Sequence, residues 1–290
     1  MTAVSIFSGA CCGEPAVVAG LVSDTGHKLV TDADIVSEAS RLSGMSSDKI
    51  GRAFSAKTSV FNKFTHERER SIAYVKLTLA QILSQENLVM EGFLSHLLPR
   101  EITHVLRVCL IADMEFRVQT AIQERRLNES DAVRLIRKRD EDAAAWVHGL
   151  MEENDPWDAA LYDMLLPTDK LRQSEIVERI AQAMQNKTLQ ATPRSKRAVD
   201  DFRLSAQVEV NLVQEGHNVG VEARDGAITL TINKHVLMLS RLEEELTQIA
   251  SQVPGVKSVN VKVGKDFYQA DIYRKHDFEM PSKVLLVDDE

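Results

Sequence analysis

The chain has 290 residues, 44% of them hydrophobic, which is ordinary for a protein that buries sizeable cores and excludes disorder along its whole length. Its formal net charge of −8 argues against a dominant nucleic-acid-binding or anionic-membrane surface. No apolar run is long enough to cross a bilayer, and the N-terminus lacks the pattern of a signal peptide. We therefore expect a cytoplasmic protein with no integral membrane segment and no nucleic-acid partner.

Short apolar runs alternate with longer amphipathic segments through residues 1–186. The predicted strands are Val4–Phe7, Lys28–Val30, Asn87–Met90, Val105–Ala112 and Tyr162–Leu166. The predicted helices begin after Pro15 and include Asp34–Ser43, Ser71–Gln85, Met114–Arg126, Ala132–Leu150 and Ser174–Met184. Strands that alternate with helices imply an α/β domain with a mostly parallel sheet.

A different pattern follows a polar segment, residues 187–197, which we interpret as a linker. The predicted elements beyond it are a helix, two strands, a helix and a strand: Ala198–Gln214, Val219–Ala223, Ala227–Ile232, Leu237–Val253 and Val256–Val263. This order predicts a small α+β domain over residues 198–266, followed by a tail over residues 267–290.

The segment Ser8–Pro15, between the first strand and the first helix, has the pattern of a phosphate-binding loop. Such a loop needs glycines, a helix N-terminus, a lysine, and a Ser or Thr for magnesium. With Gly13 at the second glycine, Ser8 stands at the first, Glu14 at the lysine and Pro15 at the hydroxyl. The predicted phosphate-binding residues are Ser8, Gly9, Ala10, Cys11, Cys12, Gly13 and Glu14, and no catalytic residue is assigned.

Cys11, Cys12 and Cys109 suit neither a disulfide framework nor a zinc site, because their number is odd and two are adjacent. We interpret Cys11 and Cys12 as small residues that fill the loop, with a redox role as the alternative. Cys109 lies in an apolar run and is predicted to be core.

The order and spacing of these elements resemble the cytidylate-kinase-like branch of the nucleoside monophosphate kinases. The resemblance is carried by Ser8–Gly13, Thr31–Asp32, Asn87–Gly92, Val105–Arg117, Leu127–Trp146, Asp155–Trp157 and Tyr162–Asp163. It implies a P-loop kinase-like parallel sheet flanked by helices, with ATP and Mg²⁺ as cofactors.

The resemblance also implies a lid that closes basic residues over phosphates. Arg134, Arg137 and Lys138 share one face of a predicted helix and are the expected cations. Without the resemblance, the same residues would be interpreted as a solvated surface face.

Three residues depart from a competent kinase. Glu14 places an anion where the lysine is expected, Phe93 follows Gly92 where relatives often carry arginine, and Ala143 stands at a lid position where arginine is frequent. Each change removes charge neutralisation. The candidates for an acceptor site are Asp32, Lys63, His66, Gly92, Arg100 and Arg117, with a helix-start cap as the alternative role of Asp32.

Two further resemblances concern the C-terminal part. Asp225–Leu230 and Val253–Val259 resemble the hairpin and turn of a BON domain, which implies a binding or assembly module. Lys283–Glu290 resembles the first strand and acidic corner of a response-regulator receiver domain, or alternatively an acidic tail. Asp288 and Asp289 would belong to a magnesium site only in a complete receiver domain, and no other metal site is predicted.

These observations lead to one leading hypothesis and two alternatives. The first is a catalytically degenerate nucleotide-binding module of a bacterial two-component signalling protein. The second is an active (d)CMP or nucleoside monophosphate kinase, and the third is an oligomerisation scaffold that binds no nucleotide. The expected partners are a nucleotide or phosphate ligand, a second copy of the chain, and a receiver domain or signalling protein.

Overall fold

The computed structural model describes residues 3–54, 66–85, 87–236 and 238–268. A five-stranded sheet with the order β2-β3-β1-β4-β5 forms its first part. The strands are β1 (Ala3–Ser8), β2 (Lys28–Thr31), β3 (Leu88–Glu91), β4 (Val105–Ile111) and β5 (Met164–Pro167). Every neighbouring pair is parallel, so the predicted parallel sheet is confirmed.

Helices cover both faces of this sheet. They are α1 (Glu14–Thr25), α2 (Asp32–Ser43), α3 (Ser47–Arg52), α4 (Glu67–Ile82), α5 (Met114–Arg125), α6 (Glu129–Met151) and α7 (Gln173–Met184). Strand β3 shows why they are needed, because Leu88 and Met90 enter one core while Val89 enters the other. A strand buried on both faces reads as a continuous apolar run, which is the pattern seen in the sequence.

The segment predicted as a linker contains the start of a long helix. Helix α8 (Pro193–Gln214) begins with proline in its first turn, and the Thr192 side chain accepts a hydrogen bond from the backbone N–H of Ser195. A short 3₁₀ turn, Lys187–Leu189, precedes it. The predicted helix over Ala198–Gln214 therefore starts five residues earlier, because a Thr cap and a proline at the first helical position outweigh the polar composition.

Helix α8 packs against both parts of the chain. Phe202, Val210 and Val213 belong to the core of the large sheet, whereas Val208 and Leu212 belong to the core of the small one. Where one domain ends and the next begins remains a prediction.

The second sheet has three strands in the order β6-β7-β8. They are β6 (Gly220–Arg224), β7 (Ala227–Ile232) and β8 (Ser258–Val263), and helix α9 (Leu239–Ser251) lies between the last two in sequence. The β6–β7 pair is antiparallel and the β7–β8 pair is parallel. The turn residues Asp225 and Gly226 both have positive φ, as a two-residue hairpin turn requires. The predicted order of elements is confirmed, and the BON-like identity stays a prediction.

Lys63, Asp288 and Asp289 lie outside the described residues. Across the described ranges, no helix has both the length and the apolar character that a bilayer crossing requires.

Candidate functional site

A cleft of about 470 Å³ opens at the carboxyl end of the large sheet, where ligands bind in open α/β folds. Its floor includes most of the loop Ser8–Pro15, its sides include Asp32 and Glu91–Phe93, and part of helix α6 covers it. The sheet order brings these pieces together, because β1 lies beside β3 and β3 lies beside β2.

The loop has the tight backbone that phosphate binding needs. Gly13 caps helix α1 with φ 72°, and Cys11 also has a positive φ of 61°. Gly9 does not line the cleft; its N–H donates to the Leu110 carbonyl at 3.0 Å. A Cβ at Gly9 would lie only 3.0 Å from Cys12 Sγ, so close packing explains this glycine.

Glu14, at the lysine position, turns back into the loop. The Ser8 hydroxyl donates to Glu14 Oε2 at 2.5 Å, while the buried Oε1 has no partner within the described part of the chain. Burial raises the pKa of Glu14 to about 7, and the bond from Ser8 opposes that rise. At neutral pH the loop therefore carries its own partly ionised acid.

Arg117 connects the loop to helix α6. Its Nε donates to the Ala10 carbonyl at 2.8 Å, and its guanidinium forms a bidentate pair with Asp140 of α6. The side chain is 9% exposed. Arg117, predicted at an acceptor site, thus braces the loop from behind instead of lining the cleft.

The Asp32 carboxylate is hydrogen-bonded to the backbone that follows β3. Its carboxylate accepts from the N–H groups of Phe93 at 2.9 Å and Leu94 at 3.2 Å. Burial raises its pKa to about 7 against these bonds. Gly92 has φ 126°, and a Cβ there would lie 2.2 Å from the Asp32 carboxylate. The helix cap is Thr31, so the alternative role of Asp32 as a cap is wrong.

An aromatic wall, formed by Phe54, Phe93 and Trp146, bounds this side of the cleft. The three rings meet edge to face, with centroids 4.8 to 6.1 Å apart. The Phe93 carbonyl accepts from Trp146 Nε1 at 3.1 Å and from His96 Nδ1 at 2.8 Å. Since Asp32 holds the Phe93 N–H as well, the main chain of Phe93 is fixed at both ends.

Charge is divided along the cleft. Arg125 and Arg139 line it near Cys11, whose pKa burial raises and these two arginines lower. Glu124 lies near Cys11 as well. Glu14 of the loop and Asp32 both lie near enough to Glu91 to be affected by its charge, and burial raises the pKa of Glu91. Within the described ranges, no three acidic, His or Cys side chains are arranged to hold a metal ion.

The predicted lid cations face away from the cleft. Arg134, Arg137 and Lys138 are exposed, and Arg134 pairs with Asp131 on the same helix. The cleft side of α6 carries Leu135, Arg139, Asp140, Asp142 and Ala143. The difference is one of helical phase, because residues one position apart point about 100° apart around the axis.

Other predicted residues also lie outside the cleft. Arg100 donates to the Ala160 carbonyl at 3.0 Å, and His66 is the N-cap residue of α4 with a positive φ. Neither lines the cleft, whereas Asp32, Gly92 and every predicted loop residue except Gly9 do.

The cysteines are free thiols. Cys12 and Cys109 are buried, and burial raises the pKa of Cys12 to about 12. A raised pKa disfavours the reactive thiolate, so the geometry favours the loop-filling interpretation over a redox role.

Several residues that line the cleft were not assigned from the sequence, among them Arg139, Glu91, Glu124 and Phe54. Glu91 is the last residue of an otherwise apolar strand, and this position at the carboxyl edge was a usable signal. For Arg139, the signal was its spacing from Ala132 and Ile136, which mark the buried side of α6.

A five-stranded parallel sheet flanked by helices, with a glycine-containing loop from the first strand into the first helix, defines a P-loop kinase-like protein. Residues 4–170 match the model of the cytidylate kinase-like family, which is more than half of the chain. The chain therefore belongs to the cytidylate kinase-like family and has a kinase-like nucleotide-binding fold, as the resemblance predicted.

Among solved structures, an uncharacterized protein from Eubacterium ventriosum is 11% identical, with 64% of this chain and 100% of that chain covered at a TM-score of 0.46. Shikimate kinase from Bacteroides thetaiotaomicron is 8% identical, with 64% and 99% covered at 0.39. Shikimate kinase from Acinetobacter baumannii is 15% identical, with 63% and 93% covered at 0.35. A comparison with curated proteins gave no match.

Proposed function

We propose that the cleft binds a nucleotide and that the protein transfers its phosphate poorly or not at all. The observation that carries the proposal is the Glu14 carboxylate, which stands at the lysine position and accepts the Ser8 hydroxyl inside the loop. The chain is thus a binding member of a kinase-like family.

Binding is supported by the loop and the cations beside it. The N-terminus of α1 opens at Gly13, and a helix N-terminus presents N–H groups and a partial positive charge to an anion. Arg125 and Arg139 line the same end of the cleft. The family and the cleft volume of about 470 Å³ both fit a ligand of nucleotide size.

Transfer is opposed by the residues at the two chemical positions of the loop. An ionised Glu14 about 4 Å from a phosphate oxygen would repel it by roughly 1 to 4 kcal/mol, where a lysine would attract it by a similar amount. Pro15 has no hydroxyl for the Mg²⁺ that the fold implies. These residues fit nucleotide binding better than magnesium-assisted transfer.

Calorimetry on the full chain with ATP, CMP and dCMP, with and without Mg²⁺, tests binding. We expect measurable heat with ATP, whereas an absence of heat and of thermal shift with all three would favour the oligomerisation scaffold. A coupled ADP-release assay tests transfer. Turnover at ordinary kinase rates, about 1 to 100 per second, would make the chain an active nucleoside monophosphate kinase and overturn the proposal.

The wider role in signalling rests on sequence resemblance. We propose that nucleotide occupancy, together with the BON-like module, conditions a receiver domain of a two-component system, and that the chain self-associates. Sedimentation equilibrium with and without ATP tests self-association, for which a dimer or larger species is expected. A monomer under both conditions would remove that part of the proposal.

A further inference from the structure

The end of the cleft opposite Arg125 and Arg139 has the surface chemistry of a site for an uncharged molecule. Glu91 is the last residue of β3, is partly buried, and lines the cleft without a side-chain partner among the described residues. Glu14 and Asp32 lie near enough to feel its charge. A second phosphate placed here would meet three carboxyl groups.

The aromatic wall gives the same end a rigid apolar surface. Phe54 and Phe93 line the cleft, and Trp146 supports them from behind. The Phe93 N–H and carbonyl are both held, and its ring packs edge to face against Phe54 and Trp146. Planar rings pack well on such a surface, by stacking or edge to face.

The described residues around this end supply no balancing cation. Phe93 and Ala143, which line the cleft, are uncharged, and the Arg117 guanidinium behind the loop is hydrogen-bonded to the Ala10 carbonyl and to Asp140. The described arginines that line the cleft, Arg125 and Arg139, lie at the loop end.

We propose that the acceptor end of the cleft takes an unphosphorylated nucleoside, a planar ring bearing hydroxyl and amino groups, in preference to a nucleoside monophosphate. The inference rests on the proposed function, because it assigns the second half of the same cleft. The ring packs on Phe93 and Phe54, and Glu91 accepts a hydrogen bond from a hydroxyl or amino group of the ligand. A 5′-phosphate is disfavoured because it brings like charges together, and the described residues at this end place no cation beside it.

The test is calorimetry of the full chain with cytidine and with CMP at pH 8, where the carboxyl groups are ionised. We expect cytidine to bind at least tenfold more tightly than CMP. Glu91→Gln should weaken cytidine binding severalfold and change the ATP affinity by a smaller factor. Glu115→Gln, which changes an exposed carboxylate of α5, is the matched control and should change neither.

A variant with two added arginines provides a second test. Phe93→Arg combined with Ala143→Arg should reverse the preference, so that CMP binds more tightly than cytidine. Tighter binding of CMP than of cytidine by the unaltered chain, or binding of ATP with neither cytidine nor CMP, would overturn the inference. Failure of ATP to bind is a separate result, and it would contradict the proposed function.

Discussion

The charge state of Glu14 affects both the stability of the folded loop and the binding of an anionic ligand there. Its pKa rises from the ordinary 4.5 to about 7 on folding, because burial disfavours the charged form. Between these two values the folded chain holds a proton that the unfolded chain has released. Stability from this group is therefore present at low pH and is lost as the pH rises from about 4.5 to about 7.

Glu14→Gln removes that titration while keeping the shape of the side chain. We expect the variant to be roughly 1 to 2 kcal/mol more stable than the parent at pH 8 and about equally stable at about pH 4, below the ordinary pKa of the carboxyl group. Thermal unfolding monitored at several pH values checks this. An equal difference between the two proteins at every pH would show that the carboxyl group does not titrate with folding.

Arg117 is the second residue on which the loop depends. Replacing it with alanine leaves the Ala10 carbonyl and Asp140 without their donor, so we expect a loss of about 3 kcal/mol in the free energy of unfolding. Urea denaturation measures the loss. Arg134→Ala removes an exposed pair on the same lid helix and should cost less than about 0.5 kcal/mol. Equal costs for the two variants would contradict the bracing role.

Gly92 and Gly44 show two different reasons why a position needs glycine, namely backbone conformation alone and conformation together with close packing. Both have positive φ, but a Cβ at Gly92 would collide with the Asp32 carboxylate, whereas a Cβ at Gly44 would meet open space. We expect Gly44→Ala to cost about 1 kcal/mol and Gly92→Ala roughly 3 kcal/mol or more. Denaturant midpoints compare them, and similar costs would mean that the close approach of Asp32 is unimportant.

At the scale of elements, apolar periodicity predicted the strands and most of the helices, because β3 and β4 are largely apolar and α6 begins at a recognisable Asn128 cap. The short helix α3 was not predicted. The start of α8 was missed, since its cap and proline lie in a polar stretch. The bonds from Phe93 and Leu94 to Asp32 span about sixty residues of sequence, and no local pattern reports such contacts.

Helix α6 shows why the side chains that line a cleft are hard to predict from the sequence. The sequence identifies α6 and its basic residues, but tertiary packing decides which of them point at the cleft. Ala132 and Ile136 are buried against α5, and this packing directs Arg139 toward the loop and Arg137 toward solvent. A cluster of basic residues on a helix therefore does not by itself show which of its side chains line a cleft.

For the whole molecule, α8 joins the large and small sheets into one body. Besides its apolar contacts with both cores, it pairs Glu209 with Lys76 of α4 at 2.8 Å, and Gln214 donates to the Tyr74 hydroxyl at 2.6 Å. A helix shared by two cores couples their stabilities. The small domain is thus packed against the kinase-like domain and not merely tethered to it.

Coupled unfolding follows from this packing. Leu246→Ala in α9, within the small core, should cost about 2 to 5 kcal/mol and shift the urea midpoint reported by Trp146 and Trp157 fluorescence. Both tryptophans belong to the large part of the chain. An unchanged fluorescence midpoint with an altered circular dichroism curve would show that the two parts unfold independently.

The proposed function requires that the loop Ser8–Pro15 binds phosphate although Glu14 stands where a lysine is expected. Its most direct test is the ATP affinity of Glu14→Lys against the parent chain at pH 8. We predict binding at least tenfold tighter in the variant, with ADP release still negligible because Pro15 offers no hydroxyl. Equal or weaker ATP binding by the variant would contradict the claim, since it would place the phosphates elsewhere.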